Sequence, residues 1–514
     1  MLGTIRSVGV RFQSSTSTRS ASVLPTTTST STSTRPPVNS APLKPQPFIP
    51  RPLNTTLQLE SLSTTPHDPL RSTTIHFHDP SSSSSSSSST SRSLSVPNLW
   101  LRDSSIHPSH VHPDSQQKLF RTSDVPSSNK LIGFGVHELP GKGECLITEW
   151  NTPLKTPGLD PTSLKLSVIE IEKLKALLKG GEKESKILGS LPKPRLWNRK
   201  SLETTLVVQD YKNFKQDDKV LLKVLDGLIK DGIVLLKNVP TDEKSGQSKP
   251  ELKRLVERIG SLRKTWYGDL WDVKAEQGSK NIAYTNLDLG LHMDLTHFDH
   301  PPRYQFLHSL VNSSVIGGSS YFLDSFALAQ HLFETSPSTF QTLCTEPVQF
   351  EYKNGNHWTR FSRPTFELCR NSQHSLKAVN YSPPFQGDLV LDRLDRNLQT
   401  GITTSDDTDR FEDLHQALKE FANLCDDSQK VWRFNHQLEP GDCVIFDNRR
   451  VLHARTAFEF TTTDTQNGKE EGIEEKGRWL KGAYMDGDEV WSRWRVEQEK
   501  QDQRVKSKGR TLFV

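Results

Sequence analysis

Two stretches decide the fold: Gly290-Leu-His-Met-Asp-Leu-Thr296 and, far downstream, Gly441-Asp-Cys-Val-Ile-Phe-Asp-Asn-Arg-Arg-Val-Leu-His453-Ala-Arg-Thr-Ala-Phe458. The first alternates in the manner of a half-buried strand end, so His292 and Asp294, two residues apart, point to one face. The second reads as strand, turn, strand, with Val451, His453 and Arg455 sharing a face of its second strand. Two imidazoles and one carboxylate suit an iron that must keep open positions for O2 and an oxo acid, because a facial two-His, one-carboxylate set leaves them free.

The His-x-Asp spacing is weak by itself, since this chain contains it at His112-Pro-Asp114, His292-Met-Asp294 and His297-Phe-Asp299. Context chooses among them. The first lies in a Pro/His/Ser-rich stretch without strand character, and the third runs into His300-Pro301-Pro302, where proline ends regular pairing. His292 and Asp294 are the better pair, and His453 on a distant strand is the candidate third ligand. A hairpin whose His453 merely bonds the backbone fits the same spacing.

Outward from these blocks, a helix is expected across Val220–Lys230, stopped by Asp231-Gly232, followed by a buried strand Ile233–Lys237 and a further helix after Pro250. Strand-like runs follow at Tyr304–Val311, Ser319–Leu323, Val348–Tyr352, Lys430–Phe434, Cys443–Phe446 and Val451–Thr456. The distribution predicts a mainly β catalytic domain over 205–497, a double-stranded β-helix or jelly roll decorated with helices. Residues 459–477 read as a polar loop and 498–514 as a polar C-terminal tail. A small β-rich N-terminal domain is expected over 97–196, with strands at Leu131–Val136 and Cys145–Trp150 and a helix around Ile169–Leu178.

With 514 residues the chain exceeds one ordinary core, so two folded units are expected. The net charge of +4, from 65 basic and 61 acidic residues, does not mark a nucleic-acid binder. Five cysteines, at 145, 344, 369, 425 and 443, are odd in number and form no C-x-x-C pair, which fits a reducing compartment. No apolar run approaches the roughly 18 residues of a membrane span. The first 59 residues carry Arg6, Arg11, Arg19, Arg35, Lys44 and Arg51 but no acid before Glu60. Leu2, Ile5, Val8 and Phe12 fall on roughly one helical face, so this segment reads as a mitochondrial transit peptide. Low complexity through the Ser81–Ser89 run extends the expected disorder to residue 96.

Taken together, the blocks resemble the γ-butyrobetaine and trimethyllysine dioxygenases among the TauD-like 2-oxoglutarate oxygenases. The matching text is Leu291-His-Met-Asp-Leu295, Pro301-Pro302, Gln305-Phe-Leu-His308, Gly317-Gly-Ser-Ser320, Phe446-Asp-Asn-Arg-Arg-Val-Leu-His453, Gly482-Ala-Tyr484 and Ser492-Arg-Trp-Arg495. The resemblance implies Fe(II) on His292, Asp294 and His453, with 2-oxoglutarate as co-substrate, O2 as oxidant and ascorbate as a candidate reductant. It places the far carboxylate of 2-oxoglutarate on Arg478, which lies 25 residues past His453, a longer gap than the family uses. An arginine fork matches a carboxylate with two parallel bonds. It also implies an aromatic cage of Tyr267, Trp271, Tyr284 and Tyr484 for a trimethylammonium group. The implied reaction is hydroxylation of γ-butyrobetaine to carnitine, with 2-oxoglutarate converted to succinate and CO2. Hydroxylation of trimethyllysine or another small molecule, or a non-catalytic binding role, are the alternatives, and a homodimer is the default assembly.

Two departures qualify the match. Ser382, in Val379-Asn-Tyr-Ser-Pro-Pro384, stands where the γ-butyrobetaine enzymes place an asparagine near the substrate carboxylate. In the N-terminal domain, where relatives hold zinc with three cysteines and a histidine, the corresponding stretch has no cysteine, and Leu154 takes the histidine position. His107, His110 and His112 remain, and zinc, which prefers four fixed ligands, is not expected there.

Overall fold

The computed structural model describes residues 58–64, 71–78, 92–154, 163–179, 187, 189–242, 250–274, 288–313, 315–370, 375–389, 405–426, 431–460 and 477–511. The residues of the expected transit peptide lie outside this set apart from the start of the first strand. Strands β1 (Gln58–Thr64), β2 (Ser72–His78) and β3 (Arg92–Pro97) form an antiparallel three-stranded sheet. The expectation of disorder up to residue 96 is thus corrected over these segments. The reason is a period-2 pattern inside biased composition: Thr73, Ile75 and Phe77 fall on one face of β2 and are fully buried. Ile75 and Phe77 join Leu101, Leu146, Trp150 and Ile169 in one core.

A second sheet follows, β4 (Leu131–Leu139), β5 (Gly143–Trp150) and β6 (Leu166–Glu170), with the helix Ile171–Lys179 against it. The polar centre of this region is Arg102, fully buried, which donates to Asn129 Oδ1 at 2.7 Å and to the carbonyls of Thr152 and Leu164 at 2.9 and 3.0 Å. The three histidines make local contacts: His107 Nδ1 accepts from the Ser109 amide, His110 Nδ1 bonds Ser105 Oγ, and His112 Nδ1 accepts from the Asp114 amide.

The set of strands that forms the double sheet and attaches to it begins with β7 (Val207–Asp210), β8 (Ile233–Lys237), β9 (Leu270–Lys274), β10 (Leu289–His292), β11 (Tyr304–Ser313), β12 (Val315–Gly317) and β13 (Ser320–Asp324). It continues with β14 (Pro347–Asn354), β15 (His357–Pro364), β16 (Phe366–Leu368), β17 (Leu376–Val379), β18 (Phe434–His436), β19 (Cys443–Asp447), β20 (Val451–Arg455), β21 (Phe458–Phe460) and β22 (Gly477–Met485). A six-stranded sheet runs β7-β8-β19-β11-β22-β9, and a four-stranded sheet runs β10-β20-β13-β18. This is the expected jelly-roll double sheet. Ile233, Leu235, Leu307, Val444, Phe446 and Leu480 from the large sheet meet Phe322 and Val451 from the small one in a shared interior.

Helices cover both outer faces. Asp218–Lys230 and Glu251–Ile259 pack on the large sheet through Leu221, Leu225, Leu228, Leu252 and Leu255, together with Trp494 of the final helix. Ser325–Thr335, Pro337–Thr345 and Ser405–Asp426 cover the small sheet through Leu328, Leu332, Leu343 and Phe421. The helix Asp218–Lys230 starts on Asp217, whose carboxylate accepts from the Lys219 amide, and ends before Gly232, whose φ of +73° only glycine adopts cheaply.

Three boundaries differ from expectation. The strand expected at Lys430–Phe434 forms at Phe434–His436, paired with β13. The polar loop is shorter, because Phe458–Phe460 pairs with β12 and β22 begins at Gly477, while residues 461–476 lie outside the described set. The polar tail is helical through Thr511: Val490 and Trp494 anchor the helix Gly487–Thr511 in the core, and spaced pairs such as Gln498 with Asp502 continue it.

Candidate metal centre and active site

β10 and β20 are antiparallel neighbours, and His292 stands opposite His453 in their register. Opposed residues share a face, and the two ring centroids are 4.2 Å apart. Asp294 comes from the turn after β10, not from the strand, which ends at His292. One ligand atom from each of the three lies within 4.8 Å of the others, and this is the group of metal-ligating side chains found among the described residues.

The donor set fits a divalent cation. His292 Nδ1 lies 2.8 Å from the Gly290 carbonyl; a carbonyl only accepts, so Nδ1 carries a proton and Nε2 is the ring atom left to ligate. Nε2 sits 3.4 Å from Asp294 Oδ1, an arrangement that needs a proton or a cation between the two. His453 Nδ1 is buried without a hydrogen-bond partner among the described residues. Burial, reinforced by the field of His292, holds the His453 imidazole down to about 3, so it is neutral and able to ligate. Burial by itself would raise the Asp294 carboxyl, but contact with His292, the fields of both imidazoles and the Tyr484 hydroxyl together hold it well below the usual range.

The aromatic wall begins at Asp294. Tyr484 Oη donates to Asp294 Oδ2 at 2.7 Å, and its ring stacks on Trp271 with centroids 5.2 Å apart. Trp271 on β9 pairs with Gly482 on β22, and a Cβ at Gly482 would fall 2.3–2.5 Å from the indole, so only glycine admits this ring. Tyr267 adjoins Trp266 at 5.9 Å; burial pushes its phenol up, and Tyr352 and the charge of Asp294 add to the shift. Tyr284 lies outside the described residues. Sequence reasoning missed the rest of the wall. Trp266 lies nearly parallel to His357, Tyr352 and His297 at 4.6, 5.6 and 5.8 Å. Trp266 stands next to Tyr267 in sequence, which was the available signal.

The other His-x-Asp pairs are not part of the ligand group. His297 Nδ1 bonds Thr359 Oγ1 at 2.7 Å, Asp299 pairs with His300 at 2.9 Å, and His112 is engaged in its own loop. Ser382 is buried beside the His-x-Asp turn, because the carbonyl of its neighbour Tyr381 accepts from the Met293 amide at 2.8 Å. Its Oγ has no partner among the described residues.

Arg478 sits on β22 opposite Asn312 of β11, and is only 7% exposed. Burial, and then the field of Arg455, hold its guanidinium down to about 9. Gly318, at φ +69°, lets the backbone pass close along the arginine stem: a Cβ there would meet Arg478 Cδ at 3.3 Å. No carboxylate pairs with Arg478 among the described residues. A buried cation without a counter-ion is unfavourable unless an anion arrives.

Residues 199–484, more than half of the chain, match the family described as taurine catabolism dioxygenase TauD, TfdA. The chain is 37% identical over 400 residues to Dioxygenase str8 of Strobilurus tenacellus, covering 77% of this chain and 84% of that one. It is 28% identical to the γ-butyrobetaine dioxygenase of Pseudomonas sp. (strain AK-1), covering 77% and 88%, and 32% identical to the human γ-butyrobetaine dioxygenase, covering 57% and 67%. A solved asparagine oxygenase in complex with Fe(II), 3-hydroxyasparagine and succinate aligns with a TM-score of 0.36 and 14% identity over 62% of this chain and 89% of its own. The chain belongs to the TauD/TfdA family of Fe(II)- and 2-oxoglutarate-dependent dioxygenases.

Proposed function

We propose that this dioxygenase hydroxylates a small molecule carrying a trimethylammonium group, and that γ-butyrobetaine is that molecule. The observation that carries the proposal is the aromatic wall of Tyr484, Trp271 and Tyr267 beside the carboxylate of Asp294. A methylated ammonium offers no hydrogen to donate and is attracted to ring faces. Trp271 and Tyr484 already stack on each other, so the cation rests on an outer ring face and not between the two. The similarity to γ-butyrobetaine dioxygenases supports the same reading.

In this proposal His292, Asp294 and His453 hold Fe(II), and Arg478 takes the far carboxylate of 2-oxoglutarate with its buried fork. When bound, the iron and 2-oxoglutarate supply the oxidation, with O2 consumed, succinate and CO2 released and one oxygen inserted into a C–H bond of the substrate. The chain's own part is aim and exclusion of water. Gly290 O fixes the His292 tautomer, Tyr484 orients the Asp294 carboxylate, and the rings of Trp266 and Trp271 supply apolar surface.

A second reading has a specific observation behind it. Ser382, short and with a buried Oγ that has no partner among the described residues, stands in place of an amide for a substrate carboxylate, which favours trimethyllysine or another small molecule. Succinate release by the iron-loaded chain with γ-butyrobetaine, trimethyllysine or neither separates the readings, with His292→Ala as control. Succinate that rises with γ-butyrobetaine and vanishes in the control supports the proposal. A rise with trimethyllysine alone, or equal background turnover in all three conditions, overturns the substrate assignment. The acid-free, arginine-bearing leader further supports a mitochondrial location, which organelle fractionation tests.

A further inference from the structure

Asn448 lies in the tight turn between β19 and β20, just ahead of the strand that carries His453. It is fully buried. Its side chain crosses to the turn after β10. Oδ1 accepts from the Asp294 amide at 2.8 Å, and Nδ2 donates to the Asp294 carbonyl at 3.0 Å and to the Pro302 carbonyl at 3.2 Å. One carboxamide thus satisfies both backbone polar groups of Asp294, the pairing that an antiparallel strand neighbour would otherwise supply.

The local backbone needs such a hold. β10 stops at His292, and Leu295, buried and bulky, has φ +57°, a left-handed conformation that an L-residue keeps only when its surroundings impose it. Relaxation of that residue would swing the backbone of Asp294. The clamp is itself fixed. The Asn448 amide donates to the Arg303 carbonyl at 2.7 Å, Asp447 pairs with Arg303 at 2.8 Å and accepts from the Arg449 amide at 2.9 Å, and Arg450 pairs with buried Asp324 at 2.7 Å. The same turn opens β20 and so sets His453. Through Asn448, a single turn fixes two members of the triad relative to each other.

We propose that Asn448 is a positioning residue for the metal centre, holding the carboxylate of Asp294 in its ligating place before any metal binds. This rests on the reading of His292, Asp294 and His453 as the iron site. The test is metal affinity of the full chain, followed with Co(II) through its visible absorption and independent of turnover. Asn448→Asp is nearly isosteric but sets an oxygen against the carbonyls of Asp294 and Pro302, and Asn448→Ala removes the same bonds without that repulsion. Both variants are expected to bind Co(II) about 10–100-fold more weakly, with the aspartate variant the weaker.

As control, Asn98→Asp makes the same change at a fully buried asparagine after β3, which accepts from Thr73 at 2.6 Å and donates to the Asn129 carbonyl at 2.7 Å. It should lower stability and leave Co(II) affinity unchanged. Wild-type affinity in both Asn448 variants would overturn the inference, whereas a wild-type chain that binds no Co(II) would overturn the iron-site reading itself. Should the variants not fold, hydrogen exchange in the wild-type chain decides: the Asp294 amide is expected to be protected without metal, and rapid exchange until metal is added would refute the clamp.

Discussion

Replacing Arg478 by methionine should leave the metal-free chain as stable as before or more so, and should abolish its stabilisation by 2-oxoglutarate. Burial holds the guanidinium down to about 9. At about 1.4 kcal/mol per pH unit, that drop from the ordinary arginine range corresponds to roughly 4–5 kcal/mol of unfavourable charge burial. The sign follows from proton linkage. A cation whose folded-state pKa is depressed costs stability at every pH below that value, and the cost fades only as the pH rises through about 9. A neutral side chain of similar length removes the cost at neutral pH, less whatever packing it loses.

Ligand linkage gives the second half of this prediction. At 2-oxoglutarate 100 times its Kd, a binding-competent chain gains about 2.7 kcal/mol. Losing the partner of a buried carboxylate costs about 2–5 kcal/mol, so at the same concentration the variant should gain less than about 1 kcal/mol. The assay is urea unfolding of the metal-free chain, and of the Co(II)-loaded chain with and without 2-oxoglutarate, for wild type and Arg478→Met. A variant that is several kcal/mol less stable without ligand yet gains the full increment would show that Arg478 is structural, and would refute the anion-site argument.

Gly482→Ala should displace Trp271, because the new Cβ would fall within 2.5 Å of the indole. Overpacking of this kind costs about 1–3 kcal/mol, and substrate-dependent succinate should fall while substrate-free turnover persists; retention of the full substrate response would show that the Trp271 face does not bind substrate. Stability should also decline in acid before the carboxylates titrate. His110, His297 and His308 are buried and held down to about 4 by burial. An unfolded histidine takes up its proton near 6.5, so the unfolded state binds more protons between about 6.5 and 4, and stability falls as pH drops through that window. Urea midpoints that stay flat from pH 7 to 4.5 would contradict this.

The periodic parts of the fold were legible from the residues. Ile233–Lys237 forms as read, and the helix Asp218–Lys230 and strands β11, β13, β19 and β20 lie within a few residues of expectation, because long apolar runs and Gly or Pro punctuation act locally. β1 to β3 were hidden because bias in composition masked the alternation of Thr73, Ile75 and Phe77. The final helix past residue 497 was hidden because its anchor, Trp494, lies ahead of the polar stretch it stabilises.

At the site, residue type and spacing by themselves named His292, Asp294 and His453 but left two further His-x-Asp pairs and a plain hairpin as alternatives. Only the tertiary structure brings these three together, since the register of β10 with β20 sets His292 against His453, and that register depends on residues far apart in the chain. The strand argument for Asp294 is replaced by a different physical route: the carboxylate leaves a turn, held by Asn448 beside the left-handed Leu295, instead of projecting from a pleat. Sequence determined which groups were available, through their chemistry and local periodicity. Burial and long-range pairing determined which charges are desolvated and which atoms meet, because desolvation and distance exist only once the chain has folded.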